Sequence, residues 1–126
     1  MGGVSGAAVV LALYQMGALR ERSGLAVLLG AIAFFWPVFA VQAGAAPLVI
    51  AFHGAVFVGF TALAAYGFWQ SAAVIALSIF AHGVFDAAVF FAAHPGPVWW
   101  PAFCGTLDIV AGGLLLFMIR TNRIPV

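Results

Sequence analysis

Lysine is absent, and charge of either sign is scarce. The 126 residues carry four arginines and three acidic side chains, 6% charged in all. A soluble domain carries about 25%, so no sizeable soluble domain is present. With no basic patch or stripe, the chain lacks the electrostatic footprint of a nucleic-acid-binding protein. Cysteine occurs once, at Cys104, so an intrachain disulfide is excluded. Residues 1–6 contain no basic n-region, and no cleaved signal peptide is expected. Two-residue alternation of apolar and polar side chains is missing as well, which argues against a β-barrel.

What is present is apolar. Hydrophobic residues make up 67% of the chain, and mean hydropathy is +1.24. Breakers divide the sequence into five apolar segments, at about residues 3–19, 24–42, 47–66, 71–93 and 98–119. Arg20-Glu21-Arg22 ends the first, Pro47 follows a Gly/Ala turn, and His94-Pro95-Gly96-Pro97 separates the last two. Each segment is near the ~20 residues that cross a bilayer as a helix. The pattern predicts an all-α fold: a polytopic membrane bundle of five transmembrane helices forming one domain, 1–126. Short connections make sequence neighbours antiparallel.

The arginines set the expected orientation. Arg20 and Arg22 lie in the first connection, Arg120 and Arg123 in the tail. Five spans put both groups on one face. The positive-inside rule then places the N-terminus out and the C-terminus in. The expected location is the cell membrane, as a multi-pass protein of a bacterial inner membrane. Its partners are expected to be the lipid bilayer, a lipophilic small molecule, and a second copy or another membrane protein. The second copy is expected because Gly105, Gly112 and Gly113 offer a close-packing face on the fifth segment.

Against this background two carboxylates stand out. Asp86 and Asp108 lie in the middle of apolar segments, and His82 precedes Asp86 by one helical turn. An ionisable side chain at membrane depth is costly, so it marks a functional site by default. Ser78, His82 and Asp86 share one helical stripe; Cys104, Asp108 and Gly112 share another. Counted at about 1.5 Å per residue, His53, Asp86 and Cys104 fall roughly 9–11 Å below the outer edge, and His82 and Asp108 roughly 15–17 Å. Gln15 counts to the deeper level. The expectation is two polar layers in the outer half of the bilayer. No arginine lies at that depth, so two ionised carboxylates leave a charge of −2 that only protons or a bound cation can neutralise.

Each signal has a plainer reading. His82 and Asp86 could glue two helices, His53 could be a hydrogen-bonded helix residue, and Cys104 could be a small packing side chain. Trp99 and Trp100 fit an interfacial aromatic belt, or a lid over the polar stripes that binds whatever enters. Most phenylalanines fit lipid contact or packing, and Phe34-Phe35-Trp36, Phe57, Phe60, Phe85, Phe90 and Phe91 could line an apolar pocket, though nothing in their spacing demands it.

The constellation permits several chemistries. The leading expectation is acid–base catalysis on a lipophilic molecule, of the isomerase or cyclase kind, entered from the outer leaflet, with His82, Asp86 and Asp108 for proton transfer and His53 assisting; the others are alternatives to it. A divalent metal ion such as Zn, Fe, Mn or Cu would find ligands among His53, His82, Asp86, Asp108 and Cys104. An accessory subunit of a larger membrane complex would use the same residues for assembly. Proton-coupled transport ranks below these, because the inner half of every segment lacks ionisable residues. His82-xxx-Asp86 resembles the intramembrane histidine followed by a carboxylate four residues on in the emopamil-binding sterol isomerases, which also have five spans. That resemblance covers the five positions 82–86 and implies proton transfer on an isoprenoid or sterol.

Overall fold

Glycine, proline and a single serine cut the apolar chain into five helices. The computed structural model describes residues 1–126 and contains α1 (Gly2–Gln15), α2 (Arg22–Gln42), α3 (Pro47–Gln70), α4 (Ala72–Phe90) and α5 (Trp100–Arg120), with no strand. The all-α membrane bundle expected from the sequence is the fold observed.

Three helices end in the same way. Gly17 (φ 75°), Gly44 (φ 60°) and Asn122 (φ 56°) take the left-handed conformation just past α1, α2 and α5. At the first, the N–H groups of Gly17 and Ala18 donate to the carbonyls of Tyr14 and Leu13. Gly44 and Ala45 repeat this on Val41 and Ala40, and Asn122 and Arg123 on Ile119 and Met118. This paired closure satisfies carbonyls that a helix end otherwise leaves without donors.

The closure at Gly17 changes the first segment. The sequence pattern runs on to Leu19, but the helix stops at Gln15 after 14 residues, about 21 Å. α2, α3, α4 and α5 are each long and apolar enough to cross a membrane, whereas α1 is shorter. Elsewhere the helix ends shift by a few residues. α3 continues from the expected Tyr66 to Gln70, because Ser71 serves as its C-cap and as the N-cap of α4. The Ser71 hydroxyl accepts the Ala73 N–H at 3.1 Å.

α4 and α5 form the most extensive pair, α2 packs on α3, and α4 also touches α2 and α3. α1 contacts α5 alone. Gly2 and Gly6 of α1 sit so close to the Phe103 and Leu107 carbonyls that neither has room for a Cβ. The pairing 2 with 103 and 6 with 107 makes α1 and α5 parallel, as five alternating passes require. It also moves Gln15 away from the site: the register sets it near Leu116, about 12 Å beyond Asp108. Gln15 is exposed there and lines a cleft with Arg20 and Arg123.

Both arginine groups lie at this same end of the bundle. Arg22 donates to the Phe68 and Trp69 carbonyls at 3.2 and 3.1 Å, capping α3, and to the Val126 carbonyl oxygen at 2.9 Å. Large apolar side chains such as Val27, Phe52, Val58, Leu77 and Phe117 cover the outside. That surface suits lipid contact.

Candidate intramembrane polar site

The site begins with two helices packed backbone to backbone. A Cβ added at Gly83 of α4 would lie 2.8 Å from the Gly105 carbonyl oxygen, and one at Gly112 of α5 would lie 2.6 Å from the Phe80 nitrogen. Small residues of this kind let membrane helices approach closely. Gly105 and Gly112, expected on a face for a second copy, are therefore occupied within the chain. Gly113 faces open space.

Because α4 and α5 run antiparallel at this distance, His82 comes level with Asp108, and Asp86 with Cys104. His82 Nδ1 and Asp108 Oδ2 are 2.7 Å apart. The same nitrogen lies 3.7 Å from Asp86 Oδ2. The Cys104 thiol donates to Asp108 Oδ2 at 3.7 Å. Ligand-type atoms of His82, Asp86, Cys104 and Asp108 all fall within 4.8 Å of one another. The two expected layers merge into one group because helical side chains tilt toward the N-terminus, which leans Asp86 toward the level of His82 and Asp108 toward the level of Cys104. His82, Asp86 and Asp108 are fully buried, at 0% exposure.

α2 supplies a fifth member, Trp36, which the sequence pattern groups with aromatics that could line an apolar pocket. Trp36 Nε1–H donates to Asp86 Oδ1 at 2.7 Å. Indole N–H has no acceptor function, so a buried tryptophan needs an acceptor and finds it here. That requirement was the available signal, since Trp36 sits within two turns of the end of α2 and Asp86 within two turns of the end of α4.

His53 stands outside the four-residue group. It is 5% exposed, and its ring stacks on Trp36 with centroids 5.3 Å apart and planes 18° apart. His94, in the connection 91–99, meets Trp36 edge-on at 5.5 Å. His53 also reaches a cleft of about 620 Å³ between α3 and α4, where it is the one residue that is not hydrophobic. Trp100 packs on Phe35 and Phe39 at 4.8 and 5.1 Å, and Trp99 is largely exposed. Neither tryptophan borders the α3–α4 cleft.

Several polar atoms of the group have no hydrogen-bond partner: Asp86 Oδ2, Asp108 Oδ1 and His82 Nε2. Buried polar atoms are rarely left so. No arginine offsets the carboxylates either; Arg120 lies about 18 Å along α5 from Asp108. Two carboxylates, an imidazole and a sulfur are gathered within 4.8 Å, each carboxylate keeping one oxygen without a partner. The fold and this group define a helical protein of multi-pass membrane character built around a buried His/Asp/Cys cluster. Comparison with protein-family models, curated proteins and solved structures finds no match.

Proposed function

We propose that the group is an intramembrane divalent-metal site, with His82, Asp86 and Asp108 as ligands and Cys104 as the fourth donor. One observation carries this reading: four ligand-type side chains from two rigidly packed helices converge within 4.8 Å where nothing else balances their charge. Two carboxylates and a divalent cation sum to zero, and ligation by Cys104 as a thiolate leaves a single negative charge, so the ion lowers the cost of charge at membrane depth. Imidazole, carboxylate and thiolate together suit Zn, Fe, Mn or Cu. Trp36 would orient Asp86 by occupying Oδ1 and leaving Oδ2 for the ion, as hydrogen-bonded ligands commonly are oriented.

Acid–base chemistry on a lipophilic molecule is the second reading. It is favoured by the 2.7 Å His82–Asp108 contact, an imidazole–carboxylate pair fit for proton transfer. It ranks second because none of the larger clefts is lined by His82, Asp86, Cys104 or Asp108.

Elemental analysis of protein purified without a histidine tag separates the two. Near-stoichiometric metal, lost on Asp108→Asn substitution, is the expected result. Protein that is metal-free and takes up neither Zn, Mn, Fe(II) nor Cu on titration would leave the acid–base reading in its place.

A further inference from the structure

The α3–α4 cleft is a feature the metal reading does not use. α3 and α4 are joined through Ser71 alone and touch closely there; a Cβ at Gly67 would lie 2.5 Å from Ile75 Cγ1. At the opposite end of the pair they enclose about 620 Å³ between Leu48, Phe52, His53, Phe85, Ala88 and Ala92. The volume is within the usual range for a small-molecule site, roughly 300–1,000 Å³. Leu48, Phe52, Ala88 and Ala92 are exposed, so the cleft opens sideways toward lipid.

Its polarity is concentrated at one place. His53 is buried to more than nine-tenths, reaches the cleft wall, and has an enclosed Nδ1 without a partner. A neutral imidazole offers one donor and one acceptor, so it can meet a carbonyl or a hydroxyl oxygen. His53 lies about 9 Å along α3 from Pro47. That is deeper than a phospholipid carries its headgroup, so a bilayer phospholipid would present only hydrocarbon to it. Two phenylalanines stand among its aliphatic walls: Phe52 meets His53 edge-on at 5.2 Å and lies 6.5 Å from Phe85. An apolar cleft with an aromatic pair on its wall and one buried hydrogen-bonding group fits a planar ring that bears an oxygen and trails an apolar tail.

We propose that the α3–α4 cleft binds a membrane-dissolved ring lipid of the isoprenoid-quinone class, with its ring against the Phe52 and Phe85 side chains and a ring oxygen hydrogen-bonded to His53. The proposal is independent of the metal reading, and its variants are expected to keep their metal.

Decylubiquinone titrated into the full chain in nanodiscs, with uptake by empty nanodiscs subtracted, tests it. Saturable, equimolar binding is expected. Ala88→Phe adds a ring on the exposed side of α4 and should abolish the saturable component without touching the core. His53→Phe keeps an aromatic ring on Trp36 but removes the ring nitrogens, and should weaken binding about tenfold, equal to about 1.4 kcal/mol. Linear uptake by the wild-type protein overturns the proposal. So does wild-type affinity in Ala88→Phe, or in a folded His53→Phe. Displacement of the quinone by a saturated fatty alcohol at equal concentration also overturns it, because the cleft would then select a chain and not a ring.

Discussion

Replacing Gly83 by alanine tests whether backbone contact between α4 and α5 sets the geometry of the cluster. The added methyl would sit 2.8 Å from the Gly105 carbonyl oxygen and 2.9 Å from the Ile109 nitrogen, both of them backbone atoms. To reach ordinary contact at 3.4 Å the helices must separate by about 0.6 Å, an overpacking that costs about 1–3 kcal/mol. Alanine returns up to about 1 kcal/mol in helix propensity, which leaves a net loss of up to about 2 kcal/mol. The site should suffer more than the fold. The same separation carries His82 Nδ1 from 2.7 Å to about 3.3 Å from Asp108 Oδ2, beyond the usual hydrogen-bond range. Unfolding in a sodium dodecyl sulfate titration and metal content by elemental analysis are measured on Gly83→Ala beside Gly113→Ala. Gly113 meets nothing within 4 Å and serves as the matched control. Gly83→Ala is expected to unfold earlier and to hold less metal, while Gly113→Ala matches or exceeds the wild type. Wild-type stability and metal content in Gly83→Ala would refute the reasoning.

Three further outcomes are expected. Asp86→Asn and Asp108→Asn should each insert and fold, since a neutral amide lowers the cost of burial, yet bind metal at least about tenfold more weakly; retained affinity in both would remove them as ligands. Trp36→Phe leaves Asp86 Oδ1 without its donor and should destabilise the protein by about 1–3 kcal/mol, read from the same detergent titration, and an unshifted midpoint would show that the indole N–H contributes nothing. Tags at the two termini should report opposite faces, with the arginine-bearing end in the cytoplasm; two tags on one face would break the five-pass scheme.

Much of this architecture is legible in the sequence because membrane helices are bounded by groups that cannot continue them. Pro47, the 94–97 turn and the arginine-bearing first connection all mark real ends. The pairing of the His82/Asp86 and Cys104/Asp108 stripes is legible for the same reason: spacing fixes a shared face, and a short turn forces two faces together. Azimuth on the other helices is not legible. α3 is apolar all round, so nothing in its pattern says that His53 turns toward Trp36 and the cleft and away from the carboxylates. Trp36 is hidden by its neighbours, since Phe34-Phe35-Trp36 reads as one aromatic run although a single N–H distinguishes its last member. The length of α1 turns on one backbone angle at Gly17, which hydropathy does not register.

α1 packs on α5 and on no other helix, and this has a consequence for biogenesis. During synthesis α1 leaves the ribosome before α5 exists, and the close seat for Gly2 and Gly6 is built from the backbone of Phe103 and Leu107. α1 must therefore wait, without a docking place among α2, α3 and α4, until α5 has been made. The α2–α5 portion can assemble during that interval, and the buried His/Asp/Cys group lies wholly within it. Capture of α1 is then a late event that closes the bundle around a site already formed.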